Sequence, residues 1–475
     1  MKIKVSNKDI IWNYIGVIMT LGSNFLLLPF MMVYLDSNQL GLWYVFQSIG
    51  NIVVLFDFGF NPTLARNVAY CWSGVSSLKK EGTERAKVGT PNYKLLKQVI
   101  ETCKKLYLII SLSAFLIMIS FGTIYIINIS NELIGYNYII AWIIYSCAVF
   151  SNLYFGYYAT MLRGVGAISQ MNIANVISRV LQIIISIILL YLGLGLVAAA
   201  LGYFINGFIY RSIAKYYFYN YKNNKENLKN VSSTILKEDI KKTFSIIWHN
   251  AWKDGLVSVS NYLTTQASAL ICSTFLTLTE TGIYSITLQI VTAIVTFAGS
   301  LYNTYQPSLQ SAYVNNDVKK SKELMAEAMI INFLICLFGA IGVIIIGFPI
   351  LSVFKPETKF SIPLLVIMII YQYLVKRHSY YASYIANTNK ITYMNAFIIS
   401  SICGVILSTI FMKYTNLGVY GLVLGQMISQ MVYNNWKWPR VVFSMLESNN
   451  CEFILIGIEE INNKVKSKIN KSIIT

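Results

Sequence analysis

Four cations stand inside apolar runs of this chain: Arg179, Lys253, Lys376 and Arg377. A charge in such a place costs about 3 kcal/mol even on the lenient insertion scale, so it is kept where it meets something of opposite sign. Each lies roughly nine to eleven residues from one end of its run, which at about 1.5 Å per helical residue puts all four at one depth, about 14 to 17 Å in. The chemistry of such a layer is anion binding. Arg66, at the end of the second run, is a fifth candidate, placed to receive the anion at the rim. The carboxylates within reach are Asp57 and Asp254, as counter-charges or ion-coupling groups, and His249 and His378 flank the layer, a residue type whose unperturbed titration lies near neutral pH. Local alternatives exist for each: Lys253 and Asp254 would neutralise one another, Arg179 would bond helix carbonyls, and Arg66 would serve as an orientation anchor.

A polar face accompanies the cations. Asn250, Asp254, Ser258, Asn261, Thr265 and Ser268 recur at steps of four, four, three, four and three, which places them on one side of a helix. The first run carries a weaker stripe of Asn13, Thr20, Ser23 and Asn24, and the eighth carries Ser285, Gln289, Thr292, Thr296 and Asn303. Such residues join helices in membranes, but a stripe five turns long exceeds one interface. Asn13, Asn24, Asn250, Asn261, Thr265 and Gln289 are therefore expected to line a water-filled cavity.

The elements that must position these groups are membrane helices. The chain is 56% hydrophobic and 12% charged, a composition foreign to soluble globules. Twelve apolar segments reach the length of about 20 helical residues needed to cross a bilayer, near 10 to 35, 40 to 63, 99 to 128, 138 to 163, 168 to 192, 195 to 219, 244 to 273, 281 to 307, 325 to 354, 360 to 386, 391 to 413 and 418 to 440. Their polarity does not alternate, which excludes a barrel, so the expected fold is all-α. The first segment, after Lys2, Lys4 and Lys8, is too long for a signal peptide and is expected to remain as the first span.

Net charge is +18. With the N-terminus inside, all but seven of the 38 Lys and Arg fall in or beside cytoplasmic segments; Lys355, Lys359 and Lys413 lie outside and the four buried cations lie within spans. That is the positive-inside bias, and it places both termini in the cytoplasm. The basic loops then set orientation and touch anionic lipid head groups. They lack interleaved aromatics and a folded module, which argues against nucleic acid. The seven cysteines are scattered singly with no Cys-x-x-Cys pair, two histidines do not make a His-rich metal site, and no Walker A sequence is present. No cofactor or metal is expected, and the short external loops leave no room for a catalytic domain.

The chain also repeats itself. Tyr157-Tyr158-Ala159-Thr160 returns as Tyr380-Tyr381-Ala382-Ser383, and the same offset of 223 positions pairs Met171-Asn172 with Met394-Asn395, Leu194-Gly195 with Leu417-Gly418 and Leu201-Gly202 with Leu424-Gly425. Duplication implies two related six-helix halves in parallel orientation, residues 1–220 and 244–440, joined by a linker at 221–243 and followed by a tail at 441–475. The buried charges break the repeat: Arg179 matches Ile402, and Lys376 and Arg377 match Leu153 and Tyr154. The tail carries Ile454, Ile458, Ile461, Val465 and Ile469 at helical spacing among lysines, the pattern of an amphipathic surface helix.

Gly41-Leu42-Trp43 after a short turn, Asp57-Phe58-Gly59-Phe60 followed by Arg66, and Leu162-Arg163-Gly164 before Asn172, Asn175 and Arg179 resemble the Wzx-type polysaccharide flippases. These belong to the multidrug/oligosaccharidyl-lipid/polysaccharide exporter superfamily. The resemblance implies a non-enzymatic alternating-access transporter of the bacterial cytoplasmic (inner) membrane. It would carry undecaprenyl-pyrophosphate-linked oligosaccharide units to the outer leaflet for O-antigen, lipopolysaccharide or capsule synthesis, with H+ or Na+ as a coupling ion and a polysaccharide polymerase as a partner. Tyr262, Tyr302 and Tyr305 would stack on sugars. The rivals are a cation-coupled multidrug exporter, which typically uses a carboxylate in a first span that here has none, and a membrane glycosyltransferase or polymerase, which needs a large external loop.

Overall fold

The computed structural model describes residues 6–35, 37–54, 57–84, 90–129, 136–231, 236–265, 268, 271–272, 275, 278–349 and 361–474, and among them it is all-helical. In chain order the helices are α1 (Asn7–Tyr34), α2 (Ser37–Val54), α3 (Phe60–Ser73), α4 (Tyr93–Ile117), α5 (Thr123–Ile129), α6 (Asn137–Tyr154), α7 (Tyr157–Gly164), α8 (Ile168–Tyr191), α9 (Leu196–Asn220), α10 (Asn224–Lys229) and α11 (Lys237–Thr265). They continue with α12 (Leu278–Ala298), α13 (Ser300–Val314), α14 (Val318–Gly342), α15 (Ile362–Ile385), α16 (Met394–Tyr414), α17 (Val419–Met431), α18 (Asn434–Met445) and α19 (Asn450–Ile474). Among the described residues each of the twelve apolar segments falls largely on helix, with a break in the second at Asp57–Gly59. Among the described residues seven helical stretches are long and apolar enough to cross a membrane unaided, and a bent pair, Val419–Met445 with Asn450–Lys464, makes an eighth. The segments outside that set are α1, α2, α11 and α15, which include the two that carry the long polar stripe and Lys376-Arg377-His378.

Contacts divide the chain into two compact units that part inside α11, between Gly255 and Leu256. In the first unit α8 packs against α1 and α9, and α6 packs against α9. Gly16 makes the first contact close, since a Cβ there would stand 2.2 Å from Asn172 Oδ1. The core between α2, α6 and α9 is aromatic: Trp43, Phe46, Trp142, Tyr145 and Tyr203 meet edge to face, tilted or stacked. In the second unit α16 packs on α17 and α12 packs on α14 and α15 around Tyr284, Leu288, Val291, Leu365 and Met368.

The repeat reappears at the level of single dihedrals. Gly195 caps α9 with φ 53°, ψ −130°, and Gly418 caps α17 with φ 52°, ψ −135°, a conformation open to glycine alone. Two turns on, Gly202 faces Ser186 and Gly425 faces Ser408 closely enough that a Cβ at either site would clash. The tail forms α19. Phe453 packs on Phe443 and Gly457 lies against the Ala326 carbonyl of α14, whereas Ile454 and Ile458 are turned outward.

Candidate functional site

The Asp57-Phe58-Gly59-Phe60 segment forms the turn into α3. Asp57 accepts from the Asn61 amide (3.2 Å) and from the Tyr107 hydroxyl (2.6 Å), so one carboxylate both caps a helix and ties it to α4. Phe58 and Gly59 have positive φ (40° and 76°). Gly59 lies against α11 so tightly that a Cβ would sit 2.3 Å from the Gly255 amide nitrogen and 2.4 Å from the Ala251 carbonyl. Phe60 completes the contact by packing on Trp248 at 5.7 Å.

That docking delivers α3 to Asp254. Arg66 Nη2 donates to Asp254 Oδ2 at 2.6 Å, Thr63 Oγ1 donates to the same oxygen at 2.7 Å, and both charged side chains are almost fully buried. Arg66, expected as a rim cation, is thus drawn into a buried ion pair, and Asp254 is balanced by α3. Lys253 Nζ lies 3.2 Å from His249 Nε2, one turn back on α11. Asn250, expected to face a cavity, is buried and donates to the Lys80 carbonyl at 2.7 Å. Asn13 is likewise held in the α1–α8 contact, accepting from Asn172 Nδ2 at 3.2 Å. On the rest of the expected lining, Asn261 and Thr265 are half-buried, with the Thr265 hydroxyl on the Asn261 carbonyl, Gln289 is exposed, and the Asn24 side chain lies outside the described residues.

Arg179 stands at the middle of α8, half-buried. Its Nη1 donates to Gln182 Oε1 at 3.2 Å, and its Nε is buried without a partner. In the second unit Lys376 is half-buried within α15 and makes no hydrogen bond or ion pair with a described residue. Arg377 lies 5.8 Å from the Tyr381 ring centroid, a cation–π distance. His378 faces the other way: it is buried against Phe397 and bonded to Asn435 Oδ1 at 2.8 Å, a core histidine and not a flank of the cation layer. Tyr302 and Tyr305 are also core residues. The first stacks on Tyr380 and donates to its carbonyl, and the second donates to Glu327, so neither ring has a face for a sugar; Tyr262 is exposed.

Three groups were not among the sequence candidates. Tyr107 binds Asp57, as above. Glu327, buried in the first half of α14, receives Lys464 Nζ of α19 at 2.6 Å. Arg211 looks like the first residue of a basic loop in sequence, yet α9 runs nine residues beyond it. The signal was the flanking pattern, since Phe208-Ile209-Tyr210 and Ile213-Ala214 continue the apolar run around it.

The comparisons with known proteins agree with this architecture. A family model described as polysaccharide biosynthesis protein matches residues 6–312. No curated protein matches the chain in sequence. Among solved structures, a MATE protein in the bent conformation superposes with TM-score 0.70 at 15% identity, covering 94% of this chain and 99% of that one. An outward-facing multidrug resistance MATE family transporter gives TM-score 0.66 at 16% identity, covering 92% and 96%. A superfamily transporter from Pyrococcus furiosus, reported for the reverse polarity of its binding pocket, gives 0.67 at 14%, covering 94% and 98%. The chain belongs to the polysaccharide biosynthesis protein family and has the fold of the multidrug/oligosaccharidyl-lipid/polysaccharide exporter superfamily.

Proposed function

We propose that this protein is a flippase that moves undecaprenyl-pyrophosphate-linked oligosaccharides from the inner to the outer leaflet of a bacterial cytoplasmic membrane, for assembly of a surface polysaccharide such as O-antigen or capsule. The observation that carries the reading is the pair of cations, Arg179 and Lys376, set mid-helix in α8 and α15 with no carboxylate partner among the described residues. A charge at that depth is retained for a partner, and the partner that a polysaccharide-assembly protein meets is a lipid pyrophosphate. Lys253 and Arg377 extend the same set. Arg66 joins it in a state where α3 has parted from Asp254, and Asp57, Asp254 and His249 are the groups through which H+ or Na+ would couple. A polymerase that receives the flipped unit is the expected partner. Neutralising the cations separates this role from a structural one: in cells, Arg179→Gln, Lys376→Gln, Lys253→Ala and Arg377→Ala should each lower surface polymer while the protein stays in the membrane. Normal polymer in all four variants would sink the assignment.

A further inference from the structure

Arg179 and Arg211 stand on two packed helices, α8 and α9. The tight turn at Leu192–Gly195 sends α9 back along α8. Gly202 fits against Ser186, and Gly207 fits against Asn152 of α6, each within 2 Å of where a Cβ would be. Continuing that register brings residues 206 to 211 of α9 level with Arg179. The two guanidinium groups are within electrostatic reach of each other and of Tyr203 and Tyr210, which share one face of α9 with Asn206.

What this corner holds is donors. Arg179 Nε and Asn206 Nδ2 are both buried without an acceptor. Among the described residues Arg211 has the Asn152 carbonyl, at 3.3 and 3.4 Å from Nη2 and Nε, and the Tyr210 ring at 4.5 Å. Asp57, joined to this corner through Tyr107, has its oxygens on the Tyr107 hydroxyl and the Asn61 amide and forms no ion pair with either arginine. Two like charges inside the membrane, neither paired to a carboxylate among the described residues, with the amide donor of Asn206 one to two turns away on the same helix, call for a compact ligand that is rich in acceptors and negatively charged. Guanidinium groups bind phosphoryl oxygens in pairs of parallel hydrogen bonds, which a lone carbonyl does not satisfy.

We propose that Arg179, Arg211 and Asn206 form a single phosphoryl-binding site contained within the first compact unit, with Arg211 as a ligand-contacting residue. The site deepens the flippase reading and rests on it for the source of the phosphate, which is either the cargo pyrophosphate or a phospholipid head group.

The test uses the full-length protein in nanodiscs of zwitterionic lipid, with binding of inorganic pyrophosphate followed by calorimetry at fixed ionic strength. Wild type should bind, and Arg179→Gln and Arg211→Gln should each weaken binding about tenfold or more, the effect of removing a charge-assisted hydrogen bond. The double variant should be little weaker than either, and Arg211→Lys should recover part of the affinity. Wild-type affinity in a well-folded Arg211→Gln protein, or no binding by wild type, overturns the site. Repeating the titration with phosphatidylglycerol in the disc identifies the source: competition supports the site with a lipid head group in it, and unchanged affinity supports it with the cargo in it. The two readings fail separately. Loss of pyrophosphate binding in the arginine variants with intact surface polymer leaves the site and removes the flippase. Loss of polymer in Lys376→Gln cells with unaltered binding by Arg211→Gln leaves the flippase and removes the site.

Discussion

Two charge clusters of the first unit share burial and differ in balance. Around Asp254, the Arg66 guanidinium and the Thr63 hydroxyl converge on one carboxylate oxygen, and the backbone of Gly59 seals the contact against α11. Around Arg179 and Arg211, two cations share a level with donors that lack acceptors and, among the described residues, with no carboxylate paired to them. A buried charge that has its partner is architecture; removing the partner exposes how much the fold relied on it. A buried charge without one is a cost that folding alone does not explain, and it points to a ligand.

The difference can be broken most sharply at Asp254. Asp254→Ala leaves the Arg66 guanidinium buried without its counter-ion and should destabilise the protein by about 3 to 5 kcal/mol, read as a lower melting temperature in detergent. An Arg66→Leu/Asp254→Leu pair should recover most of that loss, and an Asp254→Ala protein that melts like wild type would show the pair to be incidental. Gly59→Ala comes next. It puts a Cβ on a residue with φ 76° and against the Gly255 amide, at about 1 to 3 kcal/mol of strain, and unchanged melting would mean that the α3 turn and α11 separate freely. Lys464→Ala should cost less, about 1 kcal/mol, because that side chain is 44% exposed although its partner Glu327 is buried. Release of α19 to protease in this variant, with little change in melting, is the expected result; equal protection would place the strength of the docking in Phe453 and Gly457. The smallest stability change belongs to Arg179→Gln and Lys376→Gln, which should melt within about 0.5 kcal/mol of wild type, or above it, since they remove charges that no residue balances. A large drop in their melting would make them structural.

Much of the fold was legible because membrane helices announce themselves by length and apolarity, and the repeat by glycines whose backbone only glycine adopts, as at Gly195 and Gly418. The cations were legible as oddities in apolar runs. Their partners were not. Nothing local connects Arg66 to a carboxylate 188 positions away, and Lys253, adjacent to that carboxylate, was the nearer choice on paper. Helical spacing put Asn250 and Asp254 on one face, but it does not say whether the face meets water or another helix; for those two it meets α3 and the loop that follows it. Arg211 was hidden by its company, since a basic residue that opens a basic stretch reads as loop even when the helix continues past it. Tyr302 and Tyr305 were hidden by their type, because a tyrosine suited to stacking on a sugar is equally suited to a core in which its hydroxyl finds a carbonyl or a carboxylate.

The most direct test is translocation by the purified protein in liposomes. A polyprenyl-pyrophosphate-linked oligosaccharide and the same glycan on an uncharged lipid would be compared in wild type and Lys376→Gln, with transfer between leaflets followed by accessibility to an added glycan-modifying enzyme. Wild type should move the charged lipid and leave the uncharged one in place, and Lys376→Gln should slow the charged lipid about tenfold, the worth of one charge-assisted contact. Equal movement of both lipids, or no effect of the substitution, would contradict the claim that the unbalanced cations recognise an anionic cargo.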